Sequence, residues 1–385
     1  MRDFRIGSAL GFEVRADFSW LILFFLILWT FTGSVFPARA PGLAPAVYII
    51  MGVVGTFLFF GSLLAHELAH ALVARAKGIP ISGITLFIFG GISRMRGEAA
   101  TAAQEFLIAI VGPLMSGALG GLFVLLAWLG SHFGWGTPFV VVAMHLAGLN
   151  LLLAVFNLLP GFPLDGGRVF RALVWRATGD LTRATRLASA VGRGLGYALV
   201  VFGLWQLFVG NLLGGIWLAF VGWFVAGAAE TSYTQHMMKG VLEKAPARRA
   251  MTRNPETVAP DLTLERLVHD HFLERRYASF PVVEGERPIG LIALSRVNEI
   301  PRVEWARRSV RETMTPAADI TVRPEEPLAL VLEKMERSGI RRVLVSTDGR
   351  LEGIISARDI AEWLERSRQL DERAAAGGLS EAPAA

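Results

Sequence analysis

Six apolar runs, each long enough to cross a bilayer, constrain this chain more than any other feature. They cover roughly 18–37, 46–74, 104–130, 138–160, 191–209 and 211–230. A spanning helix needs about 20 apolar residues, because the hydrocarbon core is about 30 Å thick. Backbone without water around it must close its own hydrogen bonds, so runs of this length predict a polytopic α-helical membrane protein. Composition agrees: 53% of the residues are hydrophobic, 18% are charged, and the mean hydropathy is +0.47. The first run, Phe18 to Phe36, is too long for a signal-peptide core and follows an arginine-containing stretch. It is expected to be a permanent span.

Between the second and third runs lies Ile81 to Met95, ISGITLFIFGGISRM, short and rich in β-branched and aromatic residues. It predicts a β-hairpin dipping into the membrane rather than a span, since irregular backbone at that depth must be shielded by protein. Positive charge then orients the chain. Arg2, Arg5 and Arg15 precede the first run, Arg75, Lys77, Arg94 and Arg96 follow the second, and Arg168, Arg171, Arg176, Arg183 and Arg186 follow the fourth. The loops on the other side are nearly uncharged, with Arg39 alone in the first. Six spans therefore put both termini in the cytoplasm of a multi-pass protein of the cell membrane. The net charge of +5 is explained by these flanking arginines and does not call for nucleic acid. The absence of cysteine excludes disulfides, thiolate metal sites and cysteine nucleophiles.

Beyond about residue 231 the character changes. Residues 1–230 form the membrane part, 231–246 read as a linker, and two similar α/β units follow at 247–302 and 306–368. Met251-Thr252 recurs as Met314-Thr315, and Gly290 recurs as Gly353, each 63 residues on. That is a tandem repeat. The end, 371–385, is expected to be disordered.

The chemistry-bearing residues lie within the apolar runs. HELAH spans His66 to His70 near the cytoplasmic end of the second. Positions i and i+4 share a helix face, so His66 and His70 can hold one metal ion. Glu67 beside them is placed to take a proton from a metal-bound water. Three ionisable groups in an apolar helix are costly in lipid, which favours function over a merely polar face. A catalytic zinc has three protein ligands. The third candidate is Asp165, in NLLPGFPLDGGR after the fourth run, the one acid between Phe106 and Thr178 and at the same depth as HELAH. Its alternative role is to cap the helix that starts nearby. Asn157 lies eight residues earlier. It can hydrogen-bond a substrate carbonyl or developing oxyanion, or bond to another helix.

These residues together resemble the site-2 protease family of intramembrane zinc metalloproteases, in the branch with C-terminal tandem CBS domains. The family's HExxH and NxxPxxxxDG motifs are matched by HELAH and by Asn157 to Gly166, with Gly112-Pro113 in the third run. The resemblance implies one zinc per chain on His66, His70 and Asp165, with Glu67 and Asn157 catalytic. It also implies a substrate-binding hairpin containing Phe89, Gly90 and Gly91. Expected substrates are transmembrane proteins, such as an anti-sigma factor or a membrane-bound transcription factor precursor, unwound and cut during regulated proteolysis. The repeat resembles a CBS pair, which implies ATP or another adenine nucleotide held by Ser356 and Asp359, and a homodimer through these domains. The first unit departs, with Ala293 and Arg296 at the matching positions, so a purely structural module is the other reading. The rival function is a CBS-regulated divalent metal-ion transporter. That would need polar groups spread across the bilayer, whereas the ligands here cluster near one face.

Overall fold

The computed structural model describes the backbone of residues 3–87, 90–95, 97, 99–275 and 277–377, with side chains except at 90, 92–95 and 370–377. The chain divides into two units, 1–234 and 235–385.

In the first unit, α1 (Phe18–Thr30) and α2 (Phe36–Arg39) are joined by a π-helical turn at Phe31–Val35 into one apolar helix. There follow α3 (Pro45–Ala76), α4 (Ala102–His132), α5 (Thr137–Asn157), α6 (Asp165–Thr178), α7 (Leu181–Phe208) and α8 (Leu212–Lys244). Six of these helical segments are long and apolar enough to span a membrane, as expected. The exception is α6, a short amphipathic helix that buries Gly166, Gly167 and Ala172 and exposes Leu173. Helix association in lipid depends on close packing of small residues. Here Gly196 and Gly203 of α7 pack directly on the backbone of α8 around Gly222 and Gly215.

The expected hairpin is β3 (Ile81–Phe87) with β4 (Gly90–Met95), antiparallel. It is part of something larger. β1 (Asp3–Ala9) and β2 (Phe12–Asp17) form a second hairpin, and the sheet order is β1-β2-β3-β4. By residue order alone these first residues are only an arginine-bearing stretch. In fact Phe12, Val14 and Ala16 are buried, alternating with less buried Glu13, Arg15 and Asp17, the period of a half-buried strand. Arg75 ties this hairpin to α3. Its Nη1 donates to the Leu10 carbonyl at 3.0 Å, and its guanidinium lies 4.4 Å over the Phe12 ring. Phe12, Ile84 and Leu86 pack with Ala71, so the sheet rests on the helix that carries HELAH.

Helix α8 continues to Lys244, so most of the segment expected as a linker is helical. No proline falls between Pro163 and Pro246, so none interrupts α8. The second unit contains β5 (Thr252–Arg253), α9 (Leu264–Arg266), β6 (Ser279–Glu284), β7 (Arg287–Ala293), α10 (Leu294–Asn298) and α11 (Val310–Thr313). It continues with β8 (Thr315–Pro316), β9 (Thr321–Val322), α12 (Leu328–Ser338), β10 (Arg342–Thr347), β11 (Arg350–Ser356) and α13 (Ala357–Gly377). Helix α13 runs past Asp371, into the segment expected as a disordered tail; 378–385 lie outside the described residues.

Its two sheets, β5-β11-β10-β9 and β6-β7-β8, exchange strands between the repeats. β5 precedes the first unit's own hairpin but pairs with β11 of the second, placing Arg253 opposite Gly353. β8 of the second unit pairs with β7 of the first, placing Pro316 opposite Gly290. A Cβ on Gly353 would stand 2.7 Å from the Thr252 carbonyl, and one on Gly290 would stand 2.6 Å from that of Thr315. The Met-Thr and Gly that recur at 63 residues are thus two sides of one contact, made reciprocally across the repeat.

Gly290→Val should therefore force the β7–β8 crossing apart and destabilise the second unit by about 1–3 kcal/mol. The chemical-denaturation midpoint of the full-length protein in detergent, followed by protease sensitivity of the C-terminal unit, reads this. Gly240→Ala, at a helical site with open space around it, is the matched control and should be neutral or slightly stabilising.

Candidate metal centre

Helix α3 carries His66 and His70 one turn apart, 3% and 4% exposed. Each ring is fixed through its Nδ1. That of His70 lies 2.6 Å from the Ile108 carbonyl oxygen, and that of His66 lies 2.9 Å from Ser116 Oγ. A carbonyl can only accept, so Nδ1 of His70 carries its proton and Nε2 presents a lone pair. A hydroxyl can donate or accept; when Ser116 accepts, His66 takes the same tautomer. The two Nε2 atoms are then 3.2 Å apart, and each is 3.1 Å from Oδ2 of Asp165.

Three lone-pair-bearing atoms so close together, with the ring protons on the far side, call for a cation between them. Ligand atoms about 2.0–2.1 Å from a tetrahedral zinc stand about 3.3 Å from one another, close to the edges of this triangle. Two imidazoles and one carboxylate are also the kind of donor set that zinc takes. The residues fit the metal.

Asp165 reaches the histidines from the first position of α6, where Leu164 is the N-cap and makes no side-chain cap bond. The capping role that its position suggests is not the one it plays. Gly166 and Gly167 explain how the carboxylate gets there. A Cβ on either would overlap the backbone of Leu158 and Leu159 or of Gly161 and Phe162, so α6 begins directly against the preceding loop.

Helix α4 is the backing plate of the centre. Glu105, Ile108, Gly112 and Ser116 recur every three or four residues along one buried face. Ile108 and Ser116 orient the two rings. Between them, a Cβ on Gly112 would fall on Nε2 of His70 and stand 2.7 Å from that of His66. Pro113 removes the N–H that would bond the Ala109 carbonyl, which loosens this turn. At the N-terminal end of the same face, Glu105 forms a buried ion pair with Arg171 of α6. Ser116, Ile108 and the Glu105–Arg171 pair are not marked by any motif in the sequence. The available signal was a polar residue four positions from Gly112-Pro113 and an acid in line with it.

Other expected residues are distributed as follows. Glu67 is partly buried and lies against Gly91: a Cβ on Gly91 would overlap its side chain. Gly90 opens β4, and Phe89 lies outside the described residues. Asn157 is the last residue of α5 and is partly buried. Ser356 and Asp359 form a capping box at the start of α13, with Ser356 N donating to Asp359 Oδ2 at 2.7 Å and Asp359 N donating to Ser356 Oγ at 3.1 Å. They also line a cleft of about 410 Å³ that includes Arg253, Arg342 and Arg358.

An HExxH helix and a third carboxylate ligand, set among six membrane-spanning helices, define a polytopic membrane metallopeptidase. Family models agree: Peptidase family M50 matches residues 54–140 and 131–201, and the CBS domain matches 247–300 and 310–366. Rip3 of Mycobacterium tuberculosis is 38% identical over 95% of this chain and 94% of its own. Zinc metalloprotease MJ0392 of Methanocaldococcus jannaschii is 31% identical over 79% and 82%. A solved structure, the Site-2 Protease from Methanocaldococcus jannaschii, is 28% identical, covers 60% of this chain and 95% of its own, and superposes with a TM-score of 0.41. The chain belongs to peptidase family M50, the site-2 protease family of membrane zinc metalloproteases, and carries a tandem CBS pair. The transporter alternative finds no support in these relatives.

Gly112→Ala should abolish stoichiometric zinc binding without unfolding the protein, because its Cβ displaces both ring nitrogens. Ser116→Ala should weaken zinc by about 10–100-fold, the usual effect of removing a group that orients a ligand. Competition against a chromophoric chelator measures both.

Proposed function

We propose that this chain hydrolyses peptide bonds of membrane-spanning substrates in regulated intramembrane proteolysis, with zinc on His66, His70 and Asp165 and with Glu67 as general base. The observation that carries this reading is the convergence of the three ligand atoms beside a glutamate that abuts a sheet strand. When bound there, zinc supplies Lewis-acid polarisation of the scissile carbonyl and of water. The Glu67 carboxylate takes the proton of the attacking water and delivers it to the leaving amide nitrogen. The Asn157 side-chain amide donates to the carbonyl oxygen as charge develops there.

β4 is an outer strand of the four-stranded sheet. Its main-chain groups can pair with an extended substrate, giving affinity without demanding a particular sequence. Gly91 leaves no side chain between that strand and Glu67, and the substrate-binding role extends to Phe89 and Gly90. A helical substrate hides its amides in its own hydrogen bonds, so unwinding onto β4 exposes the bond to be cut. Anti-sigma factors or membrane-bound transcription factor precursors are substrates of this kind. The arginine distribution supports cytoplasmic termini and a cytoplasmic CBS pair. The pair binds an adenine nucleotide in the cleft of Arg253, Arg342 and Arg358, with Ser356 and Asp359 at its edge, and joins two copies into a homodimer.

Cleavage of a model transmembrane substrate by the purified protein tests the reaction. Wild type should carry about one zinc and cut. Glu67→Gln should keep the zinc and lose at least 10³-fold in rate, on the order expected for loss of a general base. Equal cutting by both would remove Glu67 from the mechanism.

Nucleotide binding is tested separately, by melting the full-length protein with ATP. Saturation at about 100 times Kd should stabilise the CBS unit by about 2.7 kcal/mol, and Asp359→Ala should remove the shift. No shift at millimolar ATP would leave the pair a structural module.

A further inference from the structure

We propose that Glu105 and Arg171 are positioning residues that hold Asp165 in the metal centre. This rests on the reading of Asp165 as a zinc ligand. Glu105 is 1% exposed, in the first turn of α4. Its Oε1 accepts from Nε of Arg171 at 2.6 Å and also from Nη2 of the same guanidinium. That guanidinium lies 5.0 Å over the ring of Phe162, which is 6% exposed and belongs to the loop that delivers Asp165. A single side chain thus joins α4, the delivering loop and α6 at one point, six residues or about 9 Å along α6 from Asp165.

The placement matters because the three ligands come from two sources. His66 and His70 share α3 and are held by Ser116 and Ile108 of α4. Asp165 arrives on a separate short helix whose first turn contains Gly166 and Gly167. Glu105 lies on the same α4 face as Ile108, Gly112 and Ser116. Through Arg171 it refers the third ligand to the surface that already orients the other two. Ligand geometry tolerates only about 0.5 Å of error, so slippage of α6 along α4 would open the triangle.

Stability alone does not account for the pair. Taking two charges out of water costs several kcal/mol per ion, and well-packed apolar replacements of buried pairs are often neutral or stabilising. A two-donor grip on one carboxylate oxygen gives something apolar packing does not, namely a fixed register between α4 and α6.

The test measures metal rather than turnover, on full-length protein in detergent. Zinc affinity is read by chelator competition, and site geometry by the visible spectrum of the cobalt-substituted protein. Asp165→Asn is the benchmark. Glu105→Gln and Arg171→Met should each weaken zinc by about 10–100-fold and move the cobalt bands toward those of Asp165→Asn. The apolar pair Glu105→Met/Arg171→Met should recover the melting midpoint of wild type without recovering its zinc affinity. If the single or double variants lower only the melting midpoint, with wild-type zinc affinity and spectrum, the lock is structural and the proposal fails. If Asp165→Asn itself leaves affinity and spectrum unchanged, the ligand reading fails and the lock falls with it.

Discussion

Three lone pairs pointed at one another inside an apolar helix bundle are the constraint around which the membrane unit is built. Unpaired, Nε2 of His66, Nε2 of His70 and Oδ2 of Asp165 would repel across 3.1–3.2 Å. A divalent cation held there would turn that repulsion into attraction. Everything nearby serves to make the arrangement possible. Nδ1 of each ring is engaged on the far side, by the Ile108 carbonyl and the Ser116 hydroxyl. Gly112 withholds a side chain where the nitrogens meet, and Gly166 and Gly167 let α6 start close enough for its first residue to arrive.

Helix α4 bears no ligand and no base, yet it organises the site. Its buried face orients both imidazoles, leaves space for their coordinating atoms and grips α6 through Glu105. A catalytic zinc held by two elements needs a third to fix their separation, and second-sphere groups of this kind tune affinity as well as geometry. The sheet is built differently. The sheet is fastened to α3 by Arg75 and by the Phe12, Ile84 and Leu86 cluster, so strand β4 is referenced to the same helix as Glu67.

Much of this was legible in the residue order. Six spans follow from hydropathy, because the bilayer imposes one length scale and one way to close backbone hydrogen bonds. HELAH and the Asp165 loop could be paired because ionisable groups in lipid are rare and must be explained. The N-terminal strands were not legible. Asp3–Ala9 and Phe12–Asp17 are short, and the strand that joins their hairpin to the sheet is more than sixty residues away at Ile81–Phe87. Nor was the helical course of 231–244, where a polar composition looks the same in a linker and in the exposed end of a long helix. The repeat was visible at 63 residues, but not the reciprocity that makes Gly290 meet Met314-Thr315 and Gly353 meet Met251-Thr252.

The sequence by itself determined the membrane class, the number of spans, the repeat and the residues to be sought at the candidate metal centre, because each is expressed in local composition or fixed spacing. The tertiary structure alone decided which nitrogen of each histidine faces the metal, what makes room for it, and what holds α6 in register. Those depend on atoms from α3, α4 and α6 meeting within hydrogen-bond distance, and residues 38, 50 and 66 positions apart in the chain leave no periodic trace of such a meeting.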